Sequence, residues 1–203
     1  MKIFHVSSTI AALIAASTVM AASPAAPTLG SVKAGTYKVE SAHTQVGFSL
    51  SHFGFTNYSG LFAGATGSLR LDPANPSADH LEVTIPVESI LTTVPKLTDE
   101  LKGDKWFDVA KFPQATFTST SVAVGSDGVA TIAGNLTLHG VTKPIVLHAH
   151  LLGAGMNPID KMYTIGFQAS GTIKRSEFGV SLYVPALGDD VELTIAGAFE
   201  LPG

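Results

Sequence analysis

Apolar and polar residues alternate with a period of two along most of the chain, the pattern of half-buried antiparallel strands. Across 44–51, Val46, Phe48 and Leu50 share one face, opposite Gln45, Gly47, Ser49 and Ser51. Leu81, Val83, Ile85 and Val87 alternate with Glu82, Thr84, Pro86 and Glu88. The same reading holds for 129–138, 143–152, 162–174 and 191–201, and strands are also expected over 36–40, 60–71 and 116–124. Gly60, Gly64 and Gly67 mark bends or bulges in their strand. Pro86 removes a ladder donor, so its strand should run at an edge or a bulge there. Turn chemistry separates the strands at 72–79, Ser126-Asp127-Gly128, His139-Gly140 and 187–190. About eight long antiparallel strands joined to their neighbours predict an all-β, up-and-down barrel. A barrel of that size holds either its own side chains or one small ligand.

One stretch departs from this rhythm. Residues 95–117 read as a short helix and an aromatic-rich loop, with Leu97, Leu101 and the stem of Lys105 on one face. Thr98 and Asp99 suit a first turn and Gly103 suits a stop. Trp106, Phe107, Phe112 and Phe117 follow closely. A helix inside an all-strand chain is expected to cap one end of the barrel.

The N-terminus is of another kind. Lys2, a short apolar run over 10–20 and the small residues around Ala21 predict a secretory signal peptide over 1–22. A Pro/Ala/Gly linker over 23–34 and one domain over 35–203 follow. The destination expected is the periplasm. Losing Lys2 takes one from 12 basic residues set against 16 acidic ones, which disfavours nucleic acid or an anionic membrane surface. With no Cys, the fold must be held by its core.

Several motifs, in order, resemble the YceI-like family: HTQVGFSLSHFGFTNYSGLF, then VESILT with WFDVAKFPQATFTST, then GNLTLHGVTKPIVL, and finally IKRSEFGV with LGDDVELTI. Together they run from about Tyr37 to Glu200. The resemblance implies an extended, eight-stranded, lipocalin-like barrel whose apolar tunnel binds a polyisoprenoid or similar lipid without covalent chemistry. The family often carries a His in the helical stretch where this chain has Glu100. That exchange points away from a pyrophosphate head and towards a quinone, amide or alcohol.

The inward faces nominate Phe48, Leu50, Ile85, Phe117, Ile132, Leu136, Leu147, Ile165, Phe167, Ile195 and Phe199 as cavity residues. Periodicity leaves open whether they enclose a void or pack solid. His52, Asp99, Glu100, Trp106 and Arg175 are the candidates for the mouth or for head-group contact. The bland alternatives are loop hydrogen bonds for His52, a core role for Trp106, and a surface ion pair of Lys174-Arg175 with Glu177. His148 and His150 share a strand face, yet no third ligand sits near them in sequence, so no metal is expected. No nucleophile elbow or phosphate loop is visible, and no catalytic residue or cofactor is assigned beyond a bound isoprenoid or quinone. The rival readings are a small outer-membrane barrel and a lipid-modifying enzyme. A homodimer is compatible with the chain but nothing in it demands one.

Overall fold

The computed structural model describes residues 28–203. The signal peptide and the first part of the linker lie outside the described residues. Ten strands run β1 (Gly35–Val39), β2 (Gln45–His52), β3 (Thr56–Phe62), β4 (Thr66–Leu71), β5 (His80–Pro86), β6 (Gln114–Val124), β7 (Ala130–Leu138), β8 (Val141–Met156), β9 (Tyr163–Lys174) and β10 (Asp190–Leu201). The single α-helix among the described residues, α1 (Pro95–Lys102), lies between β5 and β6.

Every pairing is antiparallel, and the ring β1–β4–β5–β6–β7–β8–β9–β10 closes where Lys38 faces Glu200 and Val39 faces Phe199. This is an eight-stranded closed barrel. The remaining two strands, β2 and β3, form a hairpin that extends it. β1 lies beside the second half of β10, and β2 lies beside the first half, with Val46 opposite Ile195. Each stretch read as a strand carries one: 36–40 and 44–51 lie along the two halves of β10 as one interrupted strand, and 60–71 is divided between β3 and β4.

Local chemistry fixes both breaks. Between β1 and β2, the Glu40 carboxylate accepts the N–H groups of Ala42 at 3.0 Å and His43 at 2.8 Å. Thr44 Oγ1 then donates to the Ala198 carbonyl at 3.2 Å and accepts its N–H at 3.1 Å, replacing a ladder pair. Between β3 and β4, Gly64 turns with φ +70° and Ala63 donates its N–H to Ser89 Oγ at 3.1 Å. Beyond the break the outer edge of β3 has one bridge, Leu61 to Leu91. Residues 87–113, including α1, fill the gap between β3 and β6. We call this end of the barrel the top.

Pro86 fits the same geometry. The ladder between β4 and β5 stops at Thr84, so Pro86 is the last residue of its strand and faces Gln114 on one side only. The helix spans the predicted segment, but Lys105 is exposed rather than part of its apolar face. Thr98 is buried, its hydroxyl 2.9 Å from that of Thr92 and accepting the Thr92 N–H at 3.0 Å. The linker expected up to residue 34 already contributes to the core: Val32 is buried, and Leu29 packs beside it.

The bottom of the barrel is solid. Tyr37 and Ile165, both 0% exposed, pack with Val32, Leu69, Leu71 and Phe199. Tyr37 donates its hydroxyl to the Lys33 carbonyl at 2.6 Å, and burial, with Tyr163 nearby, pushes its pKa up to about 12. The outer wall is largely polar: Lys38, Arg70, Glu82, His148, Lys174 and Glu192 face outward from six strands, and among the barrel strands the large exposed apolar side chains, Val146, Leu152 and Met156, are confined to β8. A membrane-spanning barrel needs an apolar band there. That outer-membrane reading does not fit this wall. No helix among the described residues is long and apolar enough to cross a membrane.

Gly67 is a position where the barrel wall tolerates no side chain. It has φ +145°, and a Cβ there would collide with the Glu82 carbonyl oxygen of the neighbouring strand. Gly67→Ala is expected to cost about 2–4 kcal/mol, read as a lower urea midpoint at unchanged slope. A loss below about 0.5 kcal/mol would contradict this close approach.

Candidate functional site

The alternation that builds the strands turns their apolar sides inward, and above the bottom plug the inner faces do not meet. Two apolar chambers result. The upper one, about 410 Å³, lies under α1. The lower one, about 130 Å³, lies between it and the plug. Val46 and Ile85 line both chambers and form the waist between them.

Of the nominated cavity residues, Phe48, Leu50 and Leu136 line the upper chamber, and Phe117, Ile132, Leu147, Phe167, Ile195 and Phe199 line the lower one. Ile85 touches both. Ile165 lines neither: its place is the solid plug, where it is fully buried. Strand periodicity put it on the correct face but could not give its depth along the barrel axis.

The wall that replaces a strand is aromatic. Phe107 meets Phe62 edge to face with centroids 5.6 Å apart, and Phe62 lies 5.6 Å from Phe48. Leu97 and Leu101 of α1 point into the same chamber. Trp106 is buried with Leu101, Ile90 and Val180. Its ring N–H donates to Glu100 Oε1 at 3.3 Å, and its face lies 5.8 Å from the Arg175 guanidinium. Such offset aromatic and cation–π contacts add about 0.5–1.5 kcal/mol each to the burial of the rings.

Arg175 is not a surface residue. It is 5% exposed, and its side chain staples the segment before β10 into place. Nε donates to Gly188 O at 2.8 Å, Nη1 to Val180 O at 2.8 Å and Leu182 O at 3.0 Å, and Nη2 to Leu187 O at 2.9 Å. Among the described residues these bonds use four of the five guanidinium N–H groups. The ion pair expected with Glu177 does not form; Lys174 pairs with Asp190 at 2.7 Å instead. Burial lowers the Arg175 pKa from its ordinary value against the pull of Asp189, and the group stays charged.

The remaining mouth candidates separate. His52 lines the upper chamber at its rim, edge-on to Phe53 at 4.7 Å. Glu100 lines it and accepts from Trp106. Asp99 is exposed on the outer side of α1 and does not line either chamber, because helical geometry turns it away from Leu97 and Leu101. Sequence reasoning missed Tyr58, Phe53, Tyr183 and Leu187, which complete the rim. Phe53 and Tyr183 sit at φ 55° and 61°, values that no hydrophobic pattern signals. His148 and His150 face outward, and His139 bonds the Phe178 carbonyl at 3.1 Å and lies against Phe112. No group of three metal-ligating side chains occurs among the described residues.

The rim is held by Asp189. Burial alone would raise its carboxyl, but the Ser176 N–H at 2.9 Å and hydroxyl at 2.8 Å, with Lys174 and Arg175 nearby, hold it below the ordinary carboxylate range. A lowered folded-state pKa contributes stability that is present above the unfolded value and is lost as pH falls through the folded one. Ser176→Ala is therefore expected to lower stability at neutral pH, with the gap from the parent closing under strongly acidic conditions. Urea titrations at several pH values check this; a gap that widens on acidification would contradict it.

The chain matches the YceI-like domain over residues 37–199. Protein YceI of Salmonella arizonae is 41% identical over 171 residues, covering 83% of this chain and 88% of that protein. The crystal structure of Burkholderia cenocepacia BcnA superposes with a TM-score of 0.71 at 24% identity, covering 79% of this chain and 98% of that one. A polyisoprenoid-binding domain from Saccharophagus degradans, implicated in plant cell wall breakdown, superposes with a TM-score of 0.62 at 18% identity, covering 82% and 98%. At these identities the two structures speak for the fold, and the extent of the domain match with the Salmonella relative establishes the rest: the chain belongs to the YceI-like family.

Proposed function

We propose that this protein carries a long-chain lipid of the polyisoprenoid kind, with an uncharged, oxygen-bearing head, in the upper chamber of its barrel. Membership of the family sets it in the periplasm and among non-catalytic barrels. The observation that carries the reading is a chamber of about 410 Å³ with almost wholly apolar walls. That volume is within the usual range for small-molecule sites. Burying a hydrocarbon tail there contributes about 0.8 kcal/mol per methylene, ample for micromolar affinity after ordering costs. The polyisoprenoid-binding domain of Saccharophagus degradans, which shares this fold, supports the choice of ligand class.

The mouth chemistry supports the choice of head. Arg175 keeps one N–H beyond its four carbonyl bonds and lines the chamber. An acceptor oxygen suits that donor. Glu100, bonded to Trp106 on the same wall, repels an anionic head such as a pyrophosphate. A quinone, amide or alcohol satisfies both, with His52 and Trp106 at its flanks.

Organic extraction of protein purified from the periplasm, followed by mass spectrometry, tests this. The expected result is a lipid with a long apolar chain and a neutral oxygen-bearing head. Repeated absence of lipid, together with failure of the delipidated protein to take up prenyl alcohols or quinones, would overturn the proposal.

A further inference from the structure

The turn that joins β2 to β3 presents its aromatic side chains to solvent. It consists of Phe53, Gly54 and Phe55, beyond the last cross-strand pair, His52 with Thr56. Phe55 is 87% exposed and Phe53 is half exposed. Phe53 and Gly54 both have positive φ, 55° and 72°. A bulky residue in that region is strained, so its surroundings must enforce it. The Phe53 N–H donates to the Ala186 carbonyl at 3.0 Å, and the Gly188 N–H to the Ser51 carbonyl at 2.8 Å. These bonds tie the turn to 180–188, where Tyr183, also at positive φ, is 59% exposed. Two segments far apart in the chain thus hold three rings on one lip of the barrel. No Asp, Glu, Lys or Arg occurs in 51–60 or in 180–188. The turns at the opposite end carry Asp72 and Asp79, Asp127, and Asp160 with Lys161. Ile159 is exposed there as well, but directly beside Asp160 and away from the upper chamber. An exposed aromatic cluster within uncharged stretches marks an interaction site. Rings of this kind suit the boundary between water and hydrocarbon.

We propose that Phe53, Phe55 and Tyr183 dock the barrel, mouth first, on the surface of a lipid bilayer, so that cargo passes between membrane and chamber without crossing water. The choice of a bilayer over a protein or a second copy of this chain rests on the carrier reading above. Cargo of that kind resides in membranes, and Phe53 and Tyr183 line the rim of the chamber that would receive it. The lip is uncharged and the chain has an acidic excess, 16 residues against 12 basic ones. The contact is therefore apolar and needs no anionic headgroup. Three partly exposed rings give a reversible attachment, as a shuttling protein requires.

The test uses the mature protein and vesicles of phosphatidylcholine. The chain has no Cys, so Asn57→Cys, exposed beside the turn, takes a single environment-sensitive dye, and Pro158→Cys places the same dye at the opposite end. The dye at 57 is expected to brighten when vesicles are added and the dye at 158 to stay unchanged. In vesicle flotation, Phe55→Asp and Phe55→Ser are each expected to weaken binding by at least about fivefold. Phe55 lines neither chamber, so both variants are expected to keep farnesol affinity in solution within about twofold, read from the fluorescence of Trp106, the only tryptophan. Thermal melts confirm that the variants fold, and either suffices if the other does not. Farnesol uptake without vesicle binding overturns the docking surface and leaves the carrier reading intact. Vesicle binding without farnesol uptake, and with no lipid in the protein's extract, does the reverse. A response of the dye at 158 instead of 57, or binding to phosphatidylglycerol vesicles alone that salt abolishes, also overturns the docking surface. So does a dimer that Phe55→Asp dissociates while vesicle binding is unchanged.

Discussion

The upper half of this barrel is closed by side chains, not by a backbone ladder. The breaks in the first two long strands leave the outer edge of β3 with a single bridge, from Leu61 to Leu91. A sheet edge that cannot pair must be covered. The segment between β5 and β6 covers it, and does so with Leu97, Leu101, Trp106 and Phe107. Because this wall is a helix and an aromatic loop set against the sheet, it stands off from the opposite strands and leaves room inside. Below the breaks the ladder is complete, the space narrows to the lower chamber of about 130 Å³, and at the bottom Tyr37 and Ile165 pack without space.

The same constraint accounts for the polar groups at the top. A loop wall has backbone carbonyls that no strand satisfies, and buried carbonyls must find donors. Arg175 supplies them to 180–188 from a single side chain. Its charge is held close to Trp106, with Asp189 nearby, so the group that braces 180–188 also lines the upper chamber. A buried guanidinium left without its carbonyls would cost several kcal/mol, which explains why so polar a side chain lines so apolar a space.

How much of this was legible in the sequence follows from what alternation encodes. Period two tells which side of a strand faces inward, and Phe48, Leu136, Leu147 and Phe199 all line the chambers as that pattern implied. It does not tell how far along the barrel a residue lies, so Ile165 was grouped with them although it belongs to the plug. The helix over Pro95–Lys102 and its stop at Gly103 were readable from local signals. The gap between 36–40 and 44–51 was readable too, and Gly64 signalled a bend, but the full division of 60–71 into two strands was not, because it depends on Ala63 reaching Ser89 across the fold. Arg175 was misleading for a related reason: in sequence it sits among Lys174, Ser176 and Glu177, a solvated neighbourhood, while its carbonyl partners lie beyond it in the chain. The small residues at 130, 149 and 169 carried no signal one by one; only the register brings them to one level.

The space beneath the helix is proposed as the ligand chamber. A crystal structure of the delipidated protein soaked with a bromine-labelled prenyl alcohol tests it most directly. Anomalous density is expected between Trp106 and Ile85, with the alcohol oxygen near Arg175. Density confined to the outer surface, or a chamber closed by collapse of Leu97, Phe62 and Phe107 onto the opposite strands, would contradict it.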